Sequence, residues 1–354
     1  MLKLFKPKHR SILGIDISSF AVKILEISGS RDSLCVEGYG HESLPANALD
    51  GNVIKDIDAV ADCIKRLILK SKLSAKHAAV AVPDSAVISK VVQINDGLSD
   101  QEMEELVVIE ADKYIPYPID EINLDFEIQG HSSKNSALLD ILIVASRAEN
   151  VNSRVEAITR AGLEAKVVDV ESYAVERVAQ LFSKDLPAGG QDKIVPIIDI
   201  GANYTHLFVL NNMKLIFSRE EKFGGMQLIE SIAEHYKMTI EQALVAKNEN
   251  QLPADYETEV LEPFKEMVLL QIKRTLQFFY STSQHSFVDH ILLAGGVARQ
   301  TGLAHLIQEQ LNVPTTVVNP LSTMSFSKNI NAQSLNEDAP SLMVACGLAL
   351  RNID

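Results

Sequence analysis

The sequence contains one motif twice, and each copy predicts a β-hairpin with a carboxylate at the mouth of its turn. The first copy runs from Ile12 to Ile27 and the second from Val195 to Leu210. Each has an apolar stretch, an Asp, a few small residues and a second apolar stretch. Small turn residues allow backbone N–H groups to point at an anion. Two such hairpins predict two related halves that hold one polyphosphate between them.

A third motif follows near the end of the chain. Residues from Asp289 to Leu303 predict a strand, a tight turn at Gly295-Gly296 and a helix. Glycines at the carboxyl end of a strand let a ligand approach the backbone closely. Taken alone, such a pair is more often a plain turn. The ordered set of three motifs is far more specific than any one of them.

The three motifs, in this order, resemble those of the actin-like ATPase superfamily, which includes actin, sugar kinases, the seventy-kilodalton heat-shock chaperones and FtsA. The resemblance covers essentially the whole chain. It identifies the first hairpin as phosphate 1, the second as phosphate 2 and the Gly-Gly turn as the adenosine motif. It implies an α/β, actin-like (ribonuclease H-like) two-domain fold that binds ATP or ADP with Mg²⁺.

Composition and charge exclude several other classes of protein. A net charge of −14 argues against nucleic-acid binding, which needs a basic face. Three scattered cysteines form neither a disulfide framework nor a zinc site. No apolar stretch reaches the ~18 residues that span a bilayer. We therefore expect a cytoplasmic protein. The basic segment 1–10 lacks the apolar core of a secretory signal and is either a solvated terminus or a short arm that touches anionic lipid.

The order of predicted elements divides the chain into two halves with one insertion. Three strands, a helix and a strand form the start of the first half. A β-α-β-β-α run follows, whose first helix opens with a capping box at Ser99 and Glu102. In the superfamily's terms we predict this division: 1–86 subdomain 1A, 87–163 inserted subdomain 1C, 164–194 return to 1A, 195–222 subdomain 2A, 223–288 subdomain 2B, 289–335 return to 2A, and 336–354 a C-terminal helix that packs back on 1A.

The two hairpin aspartates predict a magnesium–nucleotide site. Asp16 and Asp199 would lie close to a triphosphate, and each like-charge pair at ~4 Å would cost about 4 kcal/mol at an effective dielectric of ~20. Mg²⁺ removes this conflict and usually keeps several waters, so we expect mostly outer-shell contacts from both carboxylates. The alternative is that each aspartate only caps its own turn. The predicted phosphate and magnesium site comprises Asp16, Ser18, Ser19, Lys23, Asp199, Gly201, Ala202 and Asn203.

Two of the remaining assignments depend on the resemblance. A lysine at the offset of Lys23 touches a phosphate in the actin branch, the alternative being a solvated lysine. In the heat-shock branch, an arginine of the long helix and one just after the Gly-Gly turn sandwich the adenine, and Arg274 and Arg299 match them. A surface salt bridge is the alternative at either arginine. The predicted adenosine site comprises Gly224, Gly225, Lys273, Arg274, Gln277, Gly295, Gly296 and Arg299.

One departure from the superfamily pattern concerns hydrolysis. Hydrolysing members usually carry a polar residue, often Gln, after the strand that links the halves, where it orients the attacking water. We assign this link to the strand that ends Val82-Pro83-Asp84, and no Gln follows it. The sequence therefore favours nucleotide binding over fast turnover, and no residue is assigned a certain catalytic role.

The insertion decides the branch of the superfamily. Its position resembles subdomain 1C of FtsA and of the PilM family of type IV pilus assembly proteins. The resemblance to PilM is closer at Gly14–Lys23, Ala111–Pro118 and Arg274–Phe279. The chain also ends without the basic amphipathic helix of FtsA. The resemblance implies an adaptor, peripheral on the inner membrane, that binds the N-terminal cytoplasmic tail of PilN, with other platform proteins and pilus motor ATPases as further candidate partners.

The groove for such a tail is predicted beside the insertion helix. An ordered peptide needs apolar pockets with a polar rim, which Lys113, Tyr114, Pro116 and Tyr117 could supply. The alternative is that Ile115–Pro118 only ends the helix. Two other functions stay open: an FtsA-like filament, which would make the chain a homo-oligomer, and a small-molecule kinase, for which we find no general base.

Overall fold

Two sheets, an inserted small sheet and their covering helices form the molecule. A computed structural model describes residues 11–353, so the basic segment 1–10 and Asp354 lie outside the described residues. The strands within 11–353 are β1 (Ile12–Ile17), β2 (Ala21–Ser30), β3 (Ser33–Ser43), β4 (Leu49–Asp50), β5 (Val53–Ile54), β6 (His77–Val82), β7 (Val87–Asn95), β8 (Ile122–Ser132), β9 (Asn135–Arg147), β10 (Glu164–Val170), β11 (Ile194–Ile200), β12 (Thr205–Asn211), β13 (Lys214–Glu221), β14 (Ile291–Ala294), β15 (Thr315–Val317) and β16 (Ser325–Phe326).

The helices cover both sheets and the insertion. Those within 11–353 are α1 (Ile57–Ser71), α2 (Asp100–Asp112), α3 (Ala148–Arg160), α4 (Glu171–Ala179), α5 (Met226–Tyr236), α6 (Ile240–Asn248), α7 (Glu262–Thr282), α8 (Leu303–Leu311), α9 (Ala332–Asp338) and α10 (Met343–Ala349). None of these helices is both long and apolar enough to cross a membrane.

The two large sheets repeat one topology. The first has the strand order β10-β6-β1-β2-β3-β16 and the second the order β13-β12-β11-β14-β15. In each, three strands form an antiparallel meander, and two parallel strands extend the sheet beyond the first strand of the meander. The duplication predicted from the two hairpin motifs therefore extends to the whole sheet.

The halves share a central layer made by α4 and α10. Buried side chains of both helices form one apolar core with residues of both sheets. The contacts are close: a Cβ on Gly14 of β1 would collide with the carbonyl oxygen of Ala345, and one on Gly347 with that of Ala174. α1 and α3 cover the outer face of the first sheet, and α5 to α8 cover that of the second. Five layers of alternating helices and sheets result.

The insertion has a core of its own. Its three strands are antiparallel in the order β7-β9-β8, and α2 packs on them with Met103, Val107 and Ala111. The predicted capping box is present, since Ser99 and Glu102 bond reciprocally at the start of α2. α3 falls within the range 87–163, yet its buried side chains join the core of the first half. The division at 163 stays a prediction, and this packing favours a boundary before α3.

Candidate nucleotide site and insertion cleft

The turns of the two hairpins meet in space. Each turn is closed by a backbone hydrogen bond from its first N–H to the residue three further on, of 3.0 Å from Ser18 and 2.9 Å from Gly201. Across the gap between the halves, Nδ2 of Asn203 donates to Oγ of Ser19 at 3.1 Å. The residues predicted to hold phosphate from either half are therefore brought together at one place.

In the first hairpin, Asp16 has a cation beside it. Asp16 and Lys23 are directly opposite in the β1–β2 register, and Nζ of Lys23 donates to Oδ2 of Asp16 at 2.9 Å. Burial lowers the pKa of Lys23, but the charges of Asp16 and Asp199 outweigh it and raise that pKa above its usual value. Lys23 is an ion-paired lysine at the mouth of the turn, which the alternative of a solvated lysine does not describe.

In the second hairpin, His206 takes the place that Lys23 has in the first. It is opposite Asp199 in the β11–β12 register, and its Nε2 lies 3.0 Å from Oε2 of Glu220 and 3.9 Å from Glu171. Burial opposes the charged imidazole, but these carboxylates raise the pKa of His206 to about 9. Sequence analysis missed this residue, although it follows Asp199 at the same distance as Lys23 follows Asp16.

The adenosine motif touches the aspartate of phosphate 2. Gly295 has a φ of +86°, and a Cβ there would lie 2.5 Å from Oδ1 of Asp199 and collide with the carbonyl oxygen of Ile200. Only glycine allows this approach. Burial raises the pKa of Asp199, while the charges of Lys23 and His206 act in the opposite direction.

The chain crosses to the second half after α4, and this corrects the link that sequence analysis assigned after β6. Glu171 is the first residue of α4, and it lies among the charges of Asp16, His206 and Arg154. Burial is the main cause that raises the pKa of Glu171 to about 7. The carboxylate at the start of the true link therefore lies close to Asp16, and its pKa is about 7. Glu171 was not among the predicted site residues, because the link was predicted after β6 and the chain crosses after α4.

Gly224 and Gly225 hold the start of α5 against the phosphate 2 turn. The N–H of Gly225 donates to the carbonyl of Gly201 at 2.9 Å, and the N–H of Met226 donates to that of Ala202 at 2.8 Å. A Cβ on Gly224 would come within 2.5 Å of the Ala202 carbonyl oxygen. These two glycines, predicted for the adenosine site, lie against the phosphate turn.

The residues predicted to contact the purine differ in their surroundings. Lys273, Arg274 and Gln277 are exposed on α7. Arg299 donates to Oδ1 of Asp338 at 2.9 Å, which is the salt bridge left open as its alternative. Burial and the nearby charge of Arg299 lower the pKa of Lys247, so a further lysine of α6 lies close to this arginine. The stacking of Arg274 and Arg299 on a purine stays a prediction.

The donor set suits a cation that is held mainly by phosphate. Residues 11–353 contain no cluster of three or more His, Cys, Asp or Glu that could hold a metal ion alone. Asp16 and Asp199 come from different hairpins, and a Cβ on Gly296, next to the Asp199 contact, would meet nothing within 4 Å. Mg²⁺ with waters and phosphate oxygens fits two carboxylates and open space of this kind.

The predicted peptide residues lie on the surface of the insertion. Tyr114, Pro116 and Tyr117 are exposed, and Lys113 pairs with Glu110 at 2.6 Å. A cationic side chain lies over the ring of each of the two tyrosines. Nζ of Lys90 lies 5.4 Å from the ring centre of Tyr114, and the guanidinium of Arg147 lies 5.2 Å from that of Tyr117.

A cleft of about 340 Å³ opens at Tyr117, where the insertion meets both halves. Its walls are Asn52, Val53, Pro83, Ser85, Ala86, Val87, Ile88, Tyr117, Arg147, Glu149, Asn150, Tyr204 and Glu220. Aliphatic and aromatic side chains share this wall with a charged rim. A second cleft, of about 390 Å³, lies on the outer side of the second half between α5 and α7, away from the hairpins.

Comparison with known proteins places the chain in a family. The family model for the type IV pilus assembly protein PilM matches residues 14–353. The chain belongs to the PilM family. A chain in the solved structure of the PilM-PilN type IV pilus biogenesis complex is 28% identical to it, with 97% of this chain and 99% of that one covered and a TM-score of 0.79.

A more distant match agrees with the PilM assignment at the level of fold. The ethanolamine utilization protein EutJ from Carboxydothermus hydrogenoformans is 15% identical, covers 99% of this chain and 91% of its own, and has a TM-score of 0.56. The actin-like ATPase fold and the PilM branch, both predicted from the three motifs and the insertion, are confirmed.

Proposed function

We propose that this PilM-family chain is a nucleotide-binding adaptor of type IV pilus assembly. It binds ATP or ADP with Mg²⁺ between its two hairpins, and it binds the N-terminal cytoplasmic tail of a PilN protein at its insertion. The single observation that carries the nucleotide part is the Asn203–Ser19 contact, because it brings the two small-residue turns and their aspartates to one place.

Each part of the nucleotide site has a role that follows from its chemistry. The backbone N–H groups of Ser19, Ala202 and Asn203 hold phosphate oxygens, since those of Ser18 and Gly201 close the two turns. Asp16 and Asp199 would hold Mg²⁺ through its waters, and Lys23 and His206 lie opposite these two aspartates in the hairpins. When bound, Mg²⁺ supplies the positive charge that offsets the phosphates. The purine lies near Gly296, with Lys273, Arg274, Gln277 and Arg299 as its contacts.

Hydrolysis is a secondary property in this proposal. Glu171 is the candidate base, because a carboxylate with a pKa near 7 can accept a proton from water at neutral pH. The positive charge of His206, 3.9 Å away, stabilises the ionised carboxylate and so makes Glu171 a weaker base. We therefore expect at most slow turnover of ATP.

The peptide part is supported by the solved PilM-PilN complex and by the cleft at Tyr117. Val53, Pro83 and Ile88 offer an apolar wall, and Arg147 and Glu149 a charged rim, as an extended peptide needs. Binding a PilN tail would place the chain at the cytoplasmic face of the inner membrane through its partner. Contacts with other platform proteins or motor ATPases, and self-association, are proposed without an assigned surface.

Isothermal titration of the full chain with Mg-ATP and with a synthetic PilN-tail peptide tests both parts. Asp199→Ala should weaken Mg-ATP binding at least tenfold, about 1.4 kcal/mol, and leave peptide binding within about twofold. Tyr117→Ala should do the reverse. Phe287→Ala, an exposed aromatic residue between α7 and β14 and outside both sites, serves as the control. Wild-type protein that takes up no nucleotide at millimolar concentration would overturn the nucleotide part, and a peptide that binds Tyr117→Ala as tightly as wild type would overturn the groove.

A further inference from the structure

Asn52, in the turn between β4 and β5, lies where three parts of the molecule meet. Its Nδ2 donates to Oε2 of Glu220 in the second half at 2.7 Å and lies 3.4 Å from Oγ of Ser85, two residues before the insertion. Its carbonyl accepts a hydrogen bond of 3.0 Å from Arg154 of α3. The side chain and backbone carbonyl of Asn52 therefore connect the segment that leads into the insertion, helix α3 and the second half.

Arg154 holds this turn rigidly in position. The side chain is only 1% exposed, and its Nε donates to the carbonyl of Ala81 in β6 at 2.8 Å. A buried guanidinium is tolerated only when its N–H groups are bonded, so the Asn52 carbonyl is part of a network that is costly to break. The position of Asn52 is thus tied to the sheet of the first half.

Glu220 continues the connection to the phosphate site. The oxygen that accepts from Asn52, Oε2, also lies 3.0 Å from Nε2 of His206, which is opposite Asp199 in the sheet. Asn52 and Glu220 both line the cleft at Tyr117. A chain of two hydrogen bonds therefore leads from the wall of the cleft to the strand pair that carries the phosphate 2 aspartate.

A second contact runs beside the first. A Cβ on Gly51 would lie 3.2 Å from the hydroxyl oxygen of Tyr204, the last residue of the phosphate 2 turn. Tyr204 also lines the cleft. The turn that carries Asn52 thus lies against the phosphate 2 hairpin.

We propose that Asn52, Glu220 and His206 form a relay through which nucleotide binding sets the affinity of the cleft for its peptide. The proposal rests on the proposed function, since it assigns the coupling between its two sites to named residues. Nucleotide held between the hairpins fixes the second half against the first, which fixes Glu220 against Asn52 and completes the wall of the cleft. Peptide affinity should therefore rise when Mg-ATP is bound, and by linkage the peptide should raise nucleotide affinity by the same factor.

The test is fluorescence anisotropy of a labelled PilN-tail peptide with and without saturating Mg-ATP. For the wild type we expect the dissociation constant to fall about fivefold or more on adding Mg-ATP. In Asn52→Ala and in Glu220→Gln this ratio should drop below about twofold; because both side chains line the cleft, each ratio is taken against the variant's own peptide affinity without nucleotide. The double variant should lose no more than either single one, because both act in one chain. Glu127→Gln, an exposed carboxylate of the insertion, should keep the wild-type ratio.

Hydrogen exchange with Mg-ATP alone provides a readout that needs no peptide. Residues 85–88, next to Asn52, should exchange more slowly with nucleotide in the wild type and show no such change in Asn52→Ala. The relay is overturned if both ligands bind the wild type and their coupling is absent, or if it survives in both variants. A wild-type chain that binds neither ligand instead overturns the proposed function, and the relay with it.

Discussion

The two hairpins share a register but hold their aspartates differently. In the first, Lys23 donates directly to Asp16, and the pair lies within one hairpin. In the second, His206 faces Asp199 and is itself held by Glu220 and Glu171, which belong to other elements. A lysine with a raised pKa stays charged at any ordinary pH. The charge of His206 depends instead on Glu171 and on Glu220, which lines the cleft at the insertion.

The first hairpin therefore acts as a fixed element, and the second as one that responds to its neighbours. The ion pair of phosphate 1 lies within its own hairpin, and Ser19 of its turn contacts Asn203 of the second half. Phosphate 2 touches the adenosine motif through Gly295 and the insertion cleft through Glu220. The two hairpins share one topology, and the second has the contacts with the adenosine motif and with Glu220 that the first lacks among the described residues. Variants of the two hairpins should therefore behave differently in ways that can be measured.

The largest effect is expected from Gly295→Val. The new side chain would collide with Ile200 and lie against Asp199, and a φ of +86° adds strain for a β-branched residue. We expect a loss of at least ~2 kcal/mol in the free energy of unfolding and at least tenfold weaker Mg-ATP binding. Urea unfolding and titration calorimetry measure the two effects.

Gly296→Ala is the matched control for Gly295→Val. Nothing lies within 4 Å of a Cβ there, so stability should be unchanged within about 0.5 kcal/mol. Equal destabilisation by both substitutions would contradict the contact between the adenosine motif and phosphate 2.

A comparison of Lys23→Gln with His206→Gln sharpens the distinction between the hairpins. The pKa of His206 is about 9 in the folded chain against an ordinary 6.5, so its stabilisation is complete below pH 6.5 and lost as pH rises to about 9. His206→Gln should cost on the order of 2–3 kcal/mol at pH 6 and little at pH 9.5. The cost of Lys23→Gln in the free energy of unfolding should stay constant across this pH range, because the pKa of Lys23 is raised from 10.5 and the lysine remains charged. Urea unfolding at pH 6, 7.5 and 9.5 measures both, and parallel profiles would contradict the distinction.

Features with a strong local signal could be predicted from the sequence. Both hairpins, the strand before Gly295 and the capped start of α2 depend on neighbouring residues, and the structure has them all. α6 was not predicted, although Thr239 and Gln242 form a capping box at its start. Short elements such as β15 and α9 carry too few residues for a periodic pattern.

The part of the site that escaped prediction depends on packing between distant segments. Asn52 has no local motif, and its importance arises only because α3, the insertion and β13 converge on it. Glu171 was missed because the order of strands in the sheet decides which strand leads to the second half. His206 could have been found by comparing the two hairpins position by position. Topology, more than local propensity, therefore limited the prediction.

The smallest effect is expected from Glu171→Gln, which tests whether this carboxylate belongs to the responsive side of the site. Its pKa is about 7 in the folded chain against an ordinary 4.5, so the stability it contributes is complete below pH 4.5 and lost as pH rises to about 7. Because Gln does not titrate, the variant should gain about 1–2 kcal/mol relative to the wild type between pH 4.5 and pH 8. Mg-ATP should still bind within about threefold, while any ATP hydrolysis falls at least tenfold. Urea unfolding at the two pH values and a phosphate-release assay measure these effects. Lys23→Gln is the control in the first hairpin and should show no comparable gain between pH 4.5 and pH 8, because the pKa of Lys23 is raised from 10.5; a gain in both variants would mean that the two hairpins do not differ in this respect.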